Sequence, residues 1–449
     1  MSSRGMSGEG PTPGSRSMGI ALLVILTAVH GSAEAQAPDR TPAPKAHVPG
    51  VASASAAERL DPQRTEWAAL PILGGGSDIG FLFGATSIIT HLGKGVKPYL
   101  WRLEAVASLS IKDGPRGTEL VQRSFGARFE LPRVAGSRYR FQVGSQYVRT
   151  VNDPYFGIGN AAGPPPGPFT TSNLQRYQFT REEYRIRGTL RFPMVGRLDG
   201  LLGLQLRGMQ ASPYERSKLE EDYAARNSDG TRQIFGEGLQ GLAIPAFGLL
   251  YDTRDREVLT SRGMFEELSV RVAGVWPDTG ATHGGIHLHL RHYVTLAWDI
   301  ILAGRVAVDA MFGNPPVFEL SQFQTTSPTN AIGGEDGVRG VPLGLYHGRL
   351  KVLGTVELRR MLFGVHPFGK SLRFGADAFF DAGRVFTDYT FKNPLDGKGP
   401  GVKFGVGGGL LVLYGEASLF RVEIAYSPDS YLANPGFPAA IYVADDVCF

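Results

Sequence analysis

Cysteine is almost missing from this chain of 449 residues: the single one, Cys448, allows no intrachain disulfide and no four-cysteine zinc site. Long apolar runs are equally scarce. Past the N-terminal segment none approaches the roughly 20 residues a spanning helix needs, which excludes a helical membrane protein. Neither sign of charge dominates, with a net charge of +4 and an isoelectric point near 9.0. No Lys/Arg tract runs beside aromatics, so nucleic acid is not an expected partner. A G-x-S-x-G elbow is also lacking, which removes the usual serine hydrolase arrangement, and no enzymatic activity is expected. The glycine-rich GVGGGLL (Gly405 to Leu411) lacks the strand-to-helix setting of a phosphate cradle and reads as a strand with close backbone neighbours. His287 and His289 share one face at i and i+2, but no third ligand is identifiable, so they read as a polar lining and neither metal nor cofactor is expected.

What the chain does have begins with an export signal. Arg16 precedes an apolar run from Gly19 to Val29, and Ala33-Glu34-Ala35 and Ala35-Gln36-Ala37 offer small-x-small cleavage sites. Residues 1–37 are therefore expected to be a signal peptide rather than an anchor, because the run is too short to span. Residues 38–66, rich in Pro, Ala and Ser, read as a flexible linker. No further linker divides residues 67–449, so they form either two fused domains or one very large closed sheet.

From Trp67 onward the dominant period is two. Trp101, Leu103, Ala105, Ala107, Leu109 and Ile111 alternate with Arg102, Glu104, Ser108 and Ser110. Tyr184, Ile186 and Leu190 oppose Arg185, Arg187 and Arg191; Ile286, Leu288 and Leu290 oppose His287, His289 and Arg291; Val422, Ile424 and Tyr426 oppose Arg421, Glu423 and Ser427. The pattern predicts sixteen strands, at 67–73, 78–90, 97–110, 120–131, 138–149, 178–191, 198–209, 243–253, 263–275, 283–296, 299–311, 348–360, 371–381, 402–413, 419–428 and 440–449. Long connections follow the fifth, seventh, eleventh, thirteenth and fifteenth, and tight turns follow the sixth, tenth and fourteenth. Long loops on one rim, short turns on the other and an even count predict an all-β, sixteen-stranded antiparallel transmembrane barrel of the bacterial outer membrane, with outer-membrane lipid around it. The short outer connections after the first and ninth strands fit this scheme less well. Phe449, in line with Ile441, Val443 and Val447 on an outward face, reads as a terminal aromatic signal for the outer-membrane assembly machinery, although Asp445 would face lipid there.

The segment Ala331 to Arg360, AIGGEDGVRGVPLGLYHGRLKVLGTVELRR, sets Arg339 in a glycine-rich loop that runs into an alternating strand. An arginine so placed requires a carboxylate partner. Glu357 and Asp381 fall at inward positions of predicted strands and are the candidates, while Gly333, Gly334, Gly337 and Gly340 permit tight turning. Val338-Arg339-Gly340, the E-L-R strand, FFDAGRVF (Phe379 to Phe386) with the glycine-rich strand after it, and YDTRDREVLTSRG (Tyr251 to Gly263) together resemble the BamA/TamA superfamily of outer-membrane barrels, also called the bacterial surface antigen family. The resemblance is best from about Phe247 to Phe449, and YFGIGN (Tyr155 to Asn160) fits a loop of such barrels.

That resemblance implies a loop, between the eleventh and twelfth strands, that folds into the lumen and is anchored through Gly337, Val338, Arg339, Gly340, Glu357 and Asp381. It implies membrane-protein insertion or polypeptide translocation, with a client polypeptide or a separate periplasmic protein as partner. Residues 38–66 are too few for a periplasmic POTRA domain, so a barrel-only branch is expected. A solute pore or a plugged structural barrel is the alternative. The first predicted strand is only about seven residues long and contains Pro71, and its partner carries Asp445, so their pairing is expected to be the weakest in the barrel and to serve as a gate.

Overall fold

A computed structural model of the protein describes residues 63–444, apart from 77–79, 95–98, 115–116, 164–174, 257, 278–279, 325–328, 367–371, 415–417 and 433–437. The signal peptide, most of the linker, Asp445, Cys448 and Phe449 lie outside the described residues. The strands, in chain order, are β1 (Arg64–Gly76), β2 (Gly80–Leu92), β3 (Trp101–Gly114), β4 (Gly117–Leu131), β5 (Arg140–Pro154), β6 (Gln178–Pro193), β7 (Leu198–Pro213), β8 (Gly238–Asp252) and β9 (Gly263–Trp276). They continue with β10 (His283–Thr295), β11 (Ile301–Gly313), the two-residue strands β12 (Gln322–Phe323) and β13 (Thr329–Asn330), β14 (Leu350–Val365), β15 (Leu372–Phe386), β16 (Lys403–Tyr414), β17 (Ser418–Tyr426) and β18 (Ala439–Ala444). All except β12 and β13 form one closed antiparallel barrel in which neighbours in sequence are neighbours in space and β18 returns to β1. β12 and β13 pair only with each other, inside the long β11–β14 connection.

The alternation read from the sequence is the wall of this barrel. Tyr184, Ile186, Val270, Val272, Val306, Val356, Phe380, Val406 and Ile424 are exposed on the outer face, whereas their neighbours Glu183, Arg271, Arg305, Glu357, Asp381 and Glu423 are buried inside. An apolar belt of this extent would drive association in water and is matched instead to hydrocarbon. No described helix is long and apolar enough to cross a membrane. The charged residues named here are therefore not a solvent face; they are buried against the contents of the lumen.

The first strand departs from expectation. β1 is thirteen residues long, begins at Arg64 within the stretch read as linker, and pairs with β2 along its whole length, with Pro71 opposite Ala85. Apolar alternation is confined to its middle, because Gly74, Gly75 and Gly76 carry no side chain to mark it. The argument that this strand is too short to span is thereby overturned. Its contact with β18 is recorded, among the described residues, at Gly76 opposite Tyr442.

Long connections gather at one rim. The β7–β8 connection carries a short helix, Lys218–Ala224, whose start is capped by Ser217 accepting a hydrogen bond from the Glu220 amide, with Glu220 and Glu221 in the first turn. Leu219 and Tyr223 of this helix pack with Tyr155, Phe179, Ile234, Val317 and Phe318 into one apolar cluster over the mouth. A second cluster, including Phe156, Tyr177, Phe323, Ile332, Val338, Val341 and Tyr346, fills the lumen beneath it. The same rim has short connections after β1, β3 and β9.

Candidate functional site

The β11–β14 connection turns inward, and its charged residues decide where it rests. Arg339 is fully buried and is held by three strands at once. Its Nε donates to Asp381 Oδ2 at 2.8 Å and its Nη2 to Asp381 Oδ1 at 3.1 Å, a two-pronged contact with β15. Nη2 also reaches Glu357 Oε2 on β14 at 3.2 Å, and Nη1 reaches Glu423 Oε1 on β17 at 3.0 Å. The Arg339 backbone amide adds a bond to Asp381 Oδ2 at 3.1 Å. The guanidinium carbon lies 3.3 Å from the centroid of the Phe379 ring, so one face of the cation meets an aromatic face while its edge meets carboxylates.

Three buried carboxylates around one arginine would leave excess negative charge. Two more arginines offset it: Arg359 Nε donates to Glu357 Oε1 at 2.5 Å, and Arg421 Nη1 to Glu423 Oε2 at 2.9 Å. Both stand on the wall, two residues from the carboxylate they serve, which is the spacing that keeps two side chains on one face of a strand. The network satisfies the requirement that a buried charge be paired and hydrogen-bonded. Asp377, one inward position below Phe379, is buried with no hydrogen-bond partner among the described residues.

The backbone geometry explains the glycines. Gly340 has φ of +93°, and a side chain on it would press against Tyr426 and Ser427 at about 2.9 to 3.0 Å. Its amide donates to the Tyr442 hydroxyl at 3.0 Å, and its carbonyl accepts from Ser430 Oγ at 2.9 Å, so the loop is tied to the last strand as well. On the wall, a Cβ at Gly405 would sit 1.8 Å from the Arg339 carbonyl oxygen. The glycine-rich β16 is thus the flat surface against which the loop lies.

A second point of attachment has the opposite polarity. Glu319, fully buried in the loop, forms an ion pair with Arg207 of β7, whose Nε donates to Glu183 at 2.7 Å; His283 Nε2 of β10 stands 4.0 Å from Glu319. Lys351 Nζ is shared between the Glu319 carbonyl at 3.4 Å and Asp309 at 2.9 Å, and Arg271 binds Asp309 with two bonds of 2.8 and 3.0 Å. The loop therefore presents a cation to an acidic wall and an anion to a basic one. His287 belongs to this second network, 3.5 Å from Asp309, with the His289 ring 5.7 Å away. No group of three or more His, Cys, Asp or Glu side chains that could hold a metal occurs among the described residues.

The mouth above is locked by loop-to-loop contacts. YFGIGN crosses it: Gly159 donates to the His347 carbonyl at 2.8 Å, Ala161 to the Leu395 carbonyl at 2.9 Å, and Asn160 Nδ2 to the Gly401 carbonyl at 2.7 Å. The Tyr155 hydroxyl donates to Asp222 Oδ2 at 2.8 Å, which fixes the short helix in place. Burial, with Lys351 nearby, pushes the His347 imidazole down to about 3, so it sits under the cap as a neutral ring.

Of the residues singled out in the sequence, Gly337, Val338, Arg339, Gly340, Glu357 and Asp381 meet in the lumen, and Phe449 lies outside the described residues. Sequence reasoning missed Glu423, Arg421, Phe379, Tyr442 and Glu319. Glu423 and Arg421 did carry a signal, as charged residues on the inward face of a strand that otherwise alternates with Val422, Ile424 and Tyr426. Glu319 carried none, because its segment has no period.

The Omp85 superfamily domain matches residues 105–437. No curated protein matches the sequence. Among solved structures, BamA from Haemophilus ducreyi lacking POTRA domains 1-3 is similar at 15% identity with a TM-score of 0.52, over 86% of this chain and 70% of that one. CdiB from Escherichia coli is similar at 13% identity with a TM-score of 0.50, over 85% of this chain and 62% of that one. At such identities the likeness is one of fold.

Proposed function

Because the chain belongs to the Omp85 superfamily, we propose that it handles polypeptides at the bacterial outer membrane, and that it inserts them into the membrane rather than passing them or solutes through its lumen. The rim of short turns is then periplasmic and the capped rim faces outward. The observation that carries this reading is the way the lumen loop is fixed. It is bound to β14, β15 and β17 through Arg339, to β18 through Gly340 and to β7 through Glu319, beneath a mouth that three other connections close. A path straight through the barrel would require both anchors and the cap to come apart. By contrast, among the described residues the wall beside the β1–β18 seam is braced from within mainly on the β18 side, which favours a route at the wall.

Reconstitution into lipid vesicles tests this. Adding the purified barrel to vesicles should speed the folding of an unfolded outer-membrane protein, read as the protease-protected, heat-modifiable fraction, while planar bilayers containing it should stay nearly silent. A steady open conductance with no gain in client folding would establish the solute pore instead.

A further inference from the structure

The turn between β8 and β9 crosses the short-turn mouth of the barrel. Leu259, at the tip of this ten-residue turn, is buried in one apolar cluster with Leu411 and Leu413 of β16 and Leu419 of β17, with Val258 and Met361 packed against it. In the ring of strands, β10, β11, β14 and β15 all stand between β9 and β16, so the contact spans the lumen and does not run along the wall. The residues it meets are the inward positions nearest the short-turn ends of β14, β16 and β17.

The turn is built to hold its shape. Asp255 closes its base by accepting from the Ser261 amide at 2.9 Å, the Ser261 hydroxyl at 2.5 Å and the Arg262 amide at 3.2 Å, while Thr260 Oγ1 donates to the Arg256 carbonyl at 2.8 Å. Thr295, at the end of β10, donates to the Ser261 carbonyl at 2.9 Å. Leu259 itself has φ of +48°. A branched residue in the left-handed region is strained, and the strain persists only where other contacts outweigh it. Here the docked side chain acts beside the Asp255, Thr260 and Thr295 bonds, and undocking would expose the leucine.

We propose that this turn is a latch across the periplasmic mouth, held shut by Leu259 in the pocket of Met361, Leu411, Leu413 and Leu419, and that it must undock before a polypeptide reaches the part of the lumen walled by β9 to β16 from that side. The mouth's orientation toward the periplasm rests on the function proposed above; the closure itself does not. Farther along the wall lies a small cavity of about 30 Å³, lined by Leu201 and Ile244 together with Thr189, Gln205 and Ser269 of the wall and Gln324 of the lumen loop. Ser269 stands six residues beyond Gly263, where β9 leaves the turn, so the cavity lies deeper along the wall than the turn.

Its test reads access to the cavity. In a Cys448→Ser background, Ser269→Cys places a thiol on the cavity wall, and its alkylation by a water-soluble maleimide is timed in detergent micelles. Leu259→Gly removes the docked side chain while suiting the backbone at that position, so the turn survives without its plug. Alkylation should accelerate roughly tenfold or more, because losing a buried leucine shifts a local opening equilibrium by at least that factor. Leu259→Met should stay close to the parent rate, and bridging Leu259→Cys to Leu413→Cys with a short bis-methanethiosulfonate before the timed step should hold the Ser269→Cys rate at or below it. Where Leu259→Gly proves too unstable, shown by lost heat modifiability, Leu413→Ala removes the pocket from the other side and is read in the same way. Equal rates in the parent and in whichever of these two variants folds would overturn the latch, whatever the barrel does to polypeptides.

Discussion

Arg339 is surrounded by Asp381, Glu357 and Glu423 at 2.8 to 3.2 Å. Arg359 and Arg421 each already serve one of those carboxylates, so Arg339→Ala leaves Asp381 without a cation and the cluster with net negative charge. Breaking a buried ionic network by removing one partner costs about 3–5 kcal/mol. The expected outcome is a fall of that size in unfolding free energy in detergent, together with proteolysis within the Ala331 to Leu345 stretch. Arg339→Lys keeps the charge but not the planar fork or the stacking on Phe379, and it should fall between the two. An Arg339→Ala protein with the parent's stability and loop protection would show that the loop is held by its apolar cluster alone.

At the scale of elements, strand and loop were not equally legible. The period of two placed all sixteen barrel strands, because each strand has one face on hydrocarbon and one on a charged interior, the strongest contrast a strand can carry. β1 was clipped at one end because its glycines show no alternation, and at the other because residues 64–66 read as part of the linker. The candidate site was legible only where a residue's own strand announced it: Glu357 and Asp381 stood out on inward faces, whereas Tyr442 and Glu319 are brought to the loop by the closure of the whole ring. β16 shows how such distant fits act on sequence. Gly405 leaves room for the Arg339 carbonyl, and an alanine there would overlap it, whereas Gly304 of β11 has open space where a Cβ would go. Gly405→Ala should therefore cost about 1–3 kcal/mol through overpacking, and Gly304→Ala should be nearly neutral. Thermal unfolding of the two variants decides this, and equal effects would mean that the loop yields to the wall.

The whole molecule is unevenly filled, and the unevenness is arranged around the seam. In β14, β15 and β17 the inward side chains are buried in succession: Lys351, Leu353, Thr355, Glu357 and Arg359; Asp377, Phe379, Asp381 and Val385; Leu419, Arg421, Glu423 and Ala425. Among the described side chains of β1 to β4, by contrast, Ser110, Val121 and Glu130 are the buried ones. One flank of the seam is a packed wall tied to the lumen loop; the other is a sheet whose inner face meets little protein. β1 to β4 pair with one another along most of their length, as do β14 to β17, so the difference is one of support more than of pairing. Local opening follows such support, since strands with few buried contacts open at lower free energy than strands in a packed core. Backbone amides of β1 to β4 should then exchange with deuterium at least about tenfold faster than those of β14, β15 and β17, and Arg339→Ala should narrow the gap by loosening the supported side. Exchange read by mass spectrometry in micelles measures both. Uniform protection around the ring would mean that strand pairing alone sets the barrel's motions, and the asymmetric lumen would then give no reason for a client to enter the membrane beside β1.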